Sequence, residues 1–252
     1  MTKAYSGFLA LLMALIPILG WWAISAHNHR LAWAVIAVLM LMLVAAAGHA
    51  IVGRWGGILI DDRNVISLSR FQMTVWTLII LSAYMAAALY NIYTGVDEPL
   101  GIGIPKELWM AMGISTTSLV GTPLLLSQKK TKDASQPALD QTLSLLAKAG
   151  EAPGSEKVEG QVLGNKSASQ ASWSDMFTGD ETSNGAHVDL AKVQMFFFTL
   201  AITVAYGFAL WRSFKFAQPD GITAFPGLDD STLALLGISH SGYLVNKAIP
   251  RS

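Results

Sequence analysis

The chain has 252 residues, with 17 Lys and Arg against 17 Asp and Glu, so its formal net charge is zero. Hydrophobic residues make up 52% of it and charged residues only 13%, whereas soluble proteins average roughly 25% charged residues. This composition predicts an integral membrane protein, with the lipid bilayer as its main partner. Neutral charge argues against nucleic-acid binding, and the lack of cysteine excludes disulfides, thiolate metal sites and thiol nucleophiles.

Six segments are long enough to cross a bilayer, which takes about 20 mostly apolar residues because the hydrocarbon core offers no water to backbone groups. Two of them, 104–127 and 228–250, carry polar residues at their centres, so a re-entrant or shallow helix is the alternative to a full crossing. The N-terminal segment, 7–26, resembles a signal peptide. Its apolar run is too long for one, however, and a second span follows at once, so we predict an uncleaved anchor. The four strongest segments are 7–26, 31–52, 71–93 and 190–211.

Lys and Arg flank these segments unequally. If the N-terminus is cytoplasmic, most of the basic residues lie at inner ends, and only Arg30, Lys106, Arg212 and Lys215 lie at outer ends. This pattern predicts about six spans with both termini in the cytoplasm. The stretch "SLSRFQ" with "WT", followed by "GIS", resembles bacterial inner-membrane proteins, and the resemblance implies a multi-pass protein of the bacterial cytoplasmic membrane.

Residues 128–172 are rich in Ser, Gln, Gly, Lys and Glu, and they hold too little apolar surface to offset the entropy of ordering. We predict a flexible cytoplasmic linker that offers a surface to a protein partner. Within it, "ALDQTLSLLAKAG" predicts a short helix that stops near Gly150. The organisation expected is a leading transmembrane hairpin at 1–53, a first repeat at 54–127, the linker at 128–172 and a second repeat at 173–252.

The two repeats are indicated by an internal match. The segment "FQMTVWTLIILSAYMAAALY" (71–90) aligns with "VQMFFFTLAITVAYGFALWR" (193–212), and both copies are followed by "GIS". Both enter from the same side, which predicts parallel rather than inverted repeats. Shared residues fall on one stripe of each helix, typical of a packing face, so the two spans are expected to meet each other or the stripe of a second subunit, with a pathway lining as the alternative. The stripe comprises Met73, Thr77, Ile80, Tyr84 and Ala87, with Met195, Thr199, Ile202, Tyr206 and Ala209.

A small cytoplasmic β-hairpin is predicted before each repeat helix, in "RWGGILIDDRNVISLSR" and in "WSDMFTGDETSNGAHVDLAK". The first contains Asp61 and Asp62, and the second contains Asp180 and Glu181. Carboxylates are ligands that divalent cations prefer. We nevertheless interpret these acids as parts of solvated turns, and we expect no metal or cofactor.

The stretch "GISHSG" (237–242) comes close to the G-x-S-x-G elbow of serine hydrolases, but Ser241 stands where the elbow needs glycine. About six spans with Ser239 in the membrane resemble the rhomboid intramembrane proteases, and the resemblance implies a facing His on another helix. His240 lies on the same helix as Ser239, and the sister motif "GISTTS" has no His, so helix packing is the preferred interpretation. The polar membrane segments so defined contain Gly113, Ser115, Thr117, Gly121, Gly237, Ser239, His240 and Ser241.

No catalytic constellation emerges from these motifs. The leading hypothesis is therefore a non-enzymatic membrane anchor or scaffold that self-associates as a homo-oligomer and holds a cytoplasmic partner through 128–172. The alternative is an oligomeric channel or small-solute pathway lined by the paired GIS segments. An intramembrane serine hydrolase is the third hypothesis.

Overall fold

The computed structural model describes residues 3–249, with side chains from Tyr5 onward. The predicted cytoplasmic termini fall on residues 1–2 and 250–252, which lie outside the described residues. The described chain is mostly helical and contains one antiparallel sheet of two strands, β1 Glu156–Glu159 and β2 Val162–Asn165. Its α-helices are α1 Lys3–Ser25, α2 His29–Val52, α3 Leu68–Thr94, α4 Lys106–Lys130, α5 Gln136–Lys148, α6 Leu190–Lys215 and α7 Asp230–Ala248.

Five helices, α1, α2, α3, α4 and α6, are long and apolar enough to cross a membrane. This finding agrees with the helical, multi-pass architecture predicted from composition. Helix α7 has 19 residues and contains charged residues in its first and last turns. A sixth span therefore stays a prediction.

Local sequence explains where several helices begin and end. The Asn28 side chain accepts a hydrogen bond from the Leu31 amide at 3.0 Å and caps α2, and Gly53 ends this helix with a φ of 78°. Asp189 caps α6 by accepting from the Ala191 amide at 3.0 Å. Asp229 does the same for α7, accepting from the Thr232 amide at 3.0 Å.

The chain divides into two compact units. Unit 1 comprises Met1–Ile58, Thr74–Met112 and Leu200–Leu233. In its core, the Trp33 indole N–H donates to the Ser82 hydroxyl at 3.0 Å, and the Trp33 ring stacks on Phe214 with centroids 5.7 Å apart. This hydrogen bond satisfies the one polar group of a buried indole.

Two loops of unit 1 pair with each other, the one before α4 and the one before α7. The Gly103 amide donates to the Thr223 carbonyl at 2.8 Å, and the Phe225 amide donates to the Gly103 carbonyl at 2.9 Å. Asn91, which is 1% exposed, accepts from the Ile222 amide at 2.7 Å and donates to the Ile222 carbonyl at 3.0 Å. The loops before α4 and α7 are thus joined by backbone hydrogen bonds, and the Asn91 side chain binds the second of them.

Unit 2 comprises Leu59–Met73, Gly113–Thr199 and Ala234–Ser252. It corrects the prediction that 128–172 is a flexible linker, because this segment forms α5, β1 and β2. The prediction was wrong because it considered the segment alone. Leu139, Thr142, Val162 and Leu163 are buried in the folded unit, so the segment gains burial that its own composition does not supply. The short helix near Leu139 was predicted correctly.

The predicted β-hairpins at the starts of the repeats are reduced to single antiparallel bridges. One bridge joins Ile60 to Ile66, and the other joins Thr178 to Val188. In the first, the Asp61 amide donates to the Val65 carbonyl at 3.0 Å. The described strands lie instead at 156–165, a region for which no strand was predicted.

Candidate functional site

Three cations from distant parts of the sequence meet at one carboxylate of unit 2, that of Asp180. Arg63 lies 2.6 Å and Lys192 lies 2.9 Å from its Oδ1, and Lys247 lies 2.7 Å from its Oδ2. Arg63 also binds the Asp61 carboxylate, at 2.8 Å. Arg63 comes from the first bridged turn, Lys192 from the first turn of α6 and Lys247 from the last turn of α7. We call these five residues the ion-pair cluster.

The cluster is buried, since the side chains of Asp180, Arg63, Lys192 and Lys247 are only 4–6% exposed. Burial opposes the ionisation of Asp180, but Lys192, Lys247 and Arg63 outweigh this effect and hold the pKa of its carboxyl well below the ordinary value. Buried charges of this kind remain stable only while each has its partners. The cluster therefore acts as one coupled set of contacts.

Strand β2 is hydrogen-bonded to the backbones of two cluster residues, Asp180 and Arg63. The Leu163 amide donates to the Asp180 carbonyl at 3.0 Å, and the Asn165 amide donates to the Arg63 carbonyl at 2.8 Å. The strand approaches closely because residue 164 is glycine: an added Cβ there would lie 2.6 Å from the Arg63 carbonyl oxygen. The segment predicted to be a linker is thus what positions Arg63 against Asp180.

A second buried ion pair extends the cluster to α4. Lys129, in the last turn of α4, lies 2.8 Å from Glu181, and both side chains are at most 5% exposed. Lys129 also donates to the carbonyl of Ile249, just beyond α7, at 2.9 Å. Asp61, Asp180 and Glu181 were interpreted as acids of solvated turns. That interpretation is wrong, because all three are paired with cations and little exposed.

A line of polar side chains continues from the cluster along α4 and α7. Lys247 donates to the Tyr243 hydroxyl at 2.6 Å, and that hydroxyl shares a hydrogen bond with Thr122 at 3.2 Å. One turn further, the Ser118 hydroxyl and His240 Nδ1 share a hydrogen bond of 2.6 Å. We call these residues the polar seam. Each of them is at most 6% exposed.

Two buried polar atoms at the seam lack a hydrogen-bond partner among the described residues. His240 Nε2 and the Ser239 hydroxyl are buried, and neither has a hydrogen-bond partner within the described part of the chain. Such atoms are destabilising unless water or another group reaches them. The seam therefore contains a titratable group with spare hydrogen-bonding capacity.

The residues of the predicted polar membrane segments are divided between two surroundings. Ser115, Ser239 and His240 are buried, whereas Gly113, Thr117 and Ser241 are exposed. Two glycines face the opposite helix, since an added Cβ would lie 3.4 Å from Leu244 at Gly121 and 3.9 Å from Ile114 at Gly237. The motif thus contributes partly to the contact between α4 and α7 and partly to the exposed surface.

Sequence reasoning missed the partners that complete the seam, namely Ser118, Thr122, Tyr243 and Lys247. A signal for them existed. Ser115, Ser118 and Thr122 on α4 step by three and four residues, as do His240, Tyr243 and Lys247 on α7. Polar residues at this spacing lie on one face of a helix.

The shared stripe of α3 and α6 is only partly enclosed. Ile80, Ala87, Met195, Thr199 and Tyr206 are buried, and Met73, Thr77, Tyr84, Ile202 and Ala209 are half-buried.

In unit 2, Gln72 of α3 donates through Nε2 to the Thr199 hydroxyl of α6 at 2.7 Å. In unit 1 the rings of Trp76 and Tyr206 lie 6.1 Å apart. Gln72 and Trp76, both 0% exposed, stand outside the predicted stripe. That the two repeats share one packing face stays a prediction.

Acyl transfer requires a serine that substrate can reach and free donors that stabilise an oxyanion, and Ser118 supplies neither through its own exposure or backbone. Ser118 faces His240 on another helix, as the hydrolase hypothesis demands of a serine, but Ser118 is 0% exposed. It also lies within the continuous helix α4, where backbone N–H groups are bonded to carbonyls one turn back and are not free to stabilise an oxyanion. The hydroxyl of Ser239, the serine considered from sequence, forms no hydrogen bond with His240.

Within residues 3–249, no group of three His, Asp or Glu side chains is placed to hold a metal ion. A cavity of about 90 Å³ in unit 2 adjoins the cluster and is lined by Arg63, Asp180 and Asp175 among others. Burial raises the pKa of the Asp175 carboxyl. No protein-family model matches the chain, and comparisons with curated proteins and with solved structures give no significant match.

Proposed function

We propose that the protein is a multi-pass anchor or scaffold of the bacterial cytoplasmic membrane that presents an ordered polar platform to a cytoplasmic protein partner. The platform is defined as residues 131–189. The observation that supports the proposal is the ion-pair cluster together with the Lys129–Glu181 pair, which tie this segment to the end of α4, the start of α6 and the end of α7. A scaffold needs a surface of fixed shape, and buried paired charges favour one arrangement over others.

The same contacts support a sixth span. Lys247 in the last turn of α7 binds Asp180, which precedes the start of α6 by ten residues. Helix α7 therefore ends where α6 begins, as expected if the two cross the membrane in opposite directions. Its 19 residues correspond to roughly 28 Å of helix, close to the thickness of the hydrocarbon core.

The platform carries exposed apolar side chains that suit a protein partner. Trp173 is 58% exposed and Val158 is 40% exposed. Aromatic residues are enriched at the centres of protein interfaces. These two positions are where contact with a partner is expected.

Photo-crosslinking in cells tests the scaffold. A photoreactive amino acid at Trp173 should give one discrete adduct with another protein. The matched control is the same substitution at Trp109 of α4, which is 57% exposed and lies outside the platform. Absence of an adduct at both Trp173 and Val158, or the same adduct at Trp109, would refute the proposal.

Self-association is the second part of the scaffold proposal. A homo-oligomer predicts that the mass of the protein in a detergent complex is a multiple of 27.0 kDa after the detergent is subtracted. Light scattering combined with size-exclusion chromatography measures this mass. A monomer at every concentration tested would remove self-association from the proposal and leave the platform unaffected.

A small-solute or proton pathway is the second candidate function, and the polar seam is the observation that favours it. Polar and ionisable residues inside a membrane frequently mark such pathways. The pathway predicts flux into liposomes containing the purified protein, reduced by His240→Leu and by Ser115→Leu. Thr117→Leu is the matched control, because Thr117 lies on the same helix as Ser115 but is exposed. Equal flux in all variants, or none above empty liposomes, would exclude this function.

A further inference from the structure

A groove of about 240 Å³ lies between α2 and α6 in unit 1. It is lined by Trp33 of α2 and by Val204, Gly207, Phe208 and Trp211 of α6. A Cβ added at Gly207 would meet no atom within 4 Å, so a larger side chain at this position would extend into the open space of the groove. The lining side chains are all apolar, and in a bilayer they would contact lipid acyl chains.

Two cations lie at one end of this groove. Arg30 stands one turn before Trp33 on α2, and its guanidinium carbon lies 5.3 Å from the centroid of the Trp211 ring. Lys215 stands one turn after Trp211 on the helix face that lines the groove, and its ammonium lies 5.0 Å from the centroid of the Phe216 ring. Neither cation forms an ion pair with a carboxylate in the part of the chain that the structure describes.

We propose that this groove binds one anionic phospholipid, with an acyl chain along Gly207 and the headgroup phosphate between Arg30 and Lys215. In a bilayer, an acyl chain gains little from leaving other lipid tails for an apolar groove. Selectivity must therefore come from the shape of the slot together with the charge at its end. Two cations that have aromatic neighbours but no carboxylate partner among the described residues complement, beside an apolar slot, a lipid that carries a negative headgroup above its chain.

Native mass spectrometry of the full chain in detergent tests this site. The protein is titrated with phosphatidylglycerol, with phosphatidylcholine of the same acyl chains, and with glycerol phosphate, which has the headgroup without the chains. We expect one phosphatidylglycerol to bind, with phosphatidylcholine weaker by about tenfold and glycerol phosphate not detected, because the site uses both charge and chain. Equal binding of the two lipids would overturn the proposal, and so would equal binding of glycerol phosphate.

Variants separate the groove from unspecific binding. Arg30→Gln and Lys215→Gln should each weaken phosphatidylglycerol about fivefold, whereas Lys106→Gln, which removes an exposed cation outside the groove, should not. Gly207→Leu fills the slot and should abolish binding of the single lipid. Gly7→Leu is its control, because an added Cβ at Gly7 of α1 also meets nothing within 4 Å.

Three results would refute the site. The first is binding that is unchanged by Gly207→Leu, and the second is equal weakening by Gly207→Leu and Gly7→Leu. The third is a dimer that Gly207→Leu dissociates in the absence of lipid, which would show that a second copy of the chain occupies the groove. Circular dichroism of each variant checks that its helical content matches that of the unsubstituted protein.

Discussion

Asp180 forms ion pairs with three cations, which lie in a turn, at the start of α6 and at the end of α7. Substitution Asp180→Ala would leave Lys192 and Lys247 buried without a counter-charge, whereas Arg63 would keep Asp61; leaving a buried charge unpaired destabilises a protein by about 3–5 kcal/mol. We expect a corresponding fall in the free energy of unfolding, measured by chemical unfolding in detergent. The control is Asp62→Ala, because Asp62 is 65% exposed and its partner Lys130 is 29% exposed, a setting worth about 0–1 kcal/mol. Similar losses for the two variants would contradict the special role of Asp180.

The lowered pKa of Asp180 also predicts a dependence of stability on pH. Its carboxyl is ionised more readily in the folded than in the unfolded chain. The contribution to stability is therefore fully present above the unfolded value of about 3.9 and is lost as the pH falls toward the lower folded value. Thermal unfolding between pH 6 and pH 3, in steps of about 0.5 units chosen to bracket that value, measures this loss. Asp180→Asn should flatten the acid part of the curve, and an unflattened curve would assign the effect to other carboxyls.

Ser118 provides a prediction that separates the seam from a hydrolase. Although its hydroxyl lies 2.6 Å from His240 Nδ1, full burial denies a substrate access to it. We expect no labelling of the purified protein by a serine-reactive fluorophosphonate probe. Labelling that disappears in Ser118→Ala but persists in Thr117→Ala would show a reactive serine and would revive the hydrolase hypothesis.

The acids and cations of the cluster illustrate what could not be predicted from the sequence. Asp61, Asp180 and Glu181 occur in segments with turn composition, and such residues are usually solvated. Their partners are separated from them by as much as 117 residues, as between Arg63 and Asp180. Local pattern carries no information about pairing over this distance. The apolar spans and the short helix α5 were predictable because periodicity and length are local properties.

At the scale of elements, strand β2 distinguishes an ordered platform from a linker. Its Leu163 amide donates to the Asp180 carbonyl, and residue Leu163 is only 9% exposed. We expect slow hydrogen exchange at β2 and rapid exchange at the neighbouring turn around Gly154, because amides exchange only when their local structure opens. Exchange measured by mass spectrometry in detergent tests this contrast. Equally rapid exchange throughout 150–170 would restore the flexible linker.

Gly164 in β2 also has a structural role that composition does not reveal. Composition identified 128–172 as polar and glycine-containing, which is also the composition of disordered segments. Gly164, however, serves close packing against Arg63 rather than flexibility. The function of a glycine depends on what lies opposite its missing Cβ, and a single sequence does not show that.

At the scale of the whole molecule, the two proposed repeats differ in what they contribute. The first supplies Arg63, the segment 128–172 supplies Lys129, and the second repeat supplies Asp180, Glu181, Lys192 and Lys247. Asp180 and Glu181 stand where the first proposed repeat has Asp61 and Asp62, but Asp180 and Glu181 are buried, whereas Asp62 is 65% exposed. Equivalent positions of the two proposed repeats therefore have different surroundings, and the internal match alone does not reveal which acids are buried.

The proposed membrane topology is open to a direct test, because the chain contains no cysteine and single cysteines can be introduced without background. Asp97 and Asp220 lie in the loops after α3 and α6, and Gly150 follows α5. If six spans are present, cysteines at 97 and 220 react with a membrane-impermeant maleimide in intact cells, and cysteine at 150 reacts only after permeabilisation. Cysteine at Ile249 distinguishes six spans from five.

The end of α7 is tied through Lys247 to the turn before α6, so Ile249→Cys should behave like Gly150→Cys. Reaction of residue 249 in intact cells would mean that α7 does not cross, and reaction of residue 150 in intact cells would reverse the orientation inferred from the basic residues. An Asp180→Asn variant of each cysteine protein shows whether the ion-pair cluster is needed to hold α7 in place. If α7 crosses because of its own hydrophobicity, this substitution leaves the labelling of residue 249 unchanged. If its polar centre makes crossing dependent on the cluster, the same substitution exposes residue 249.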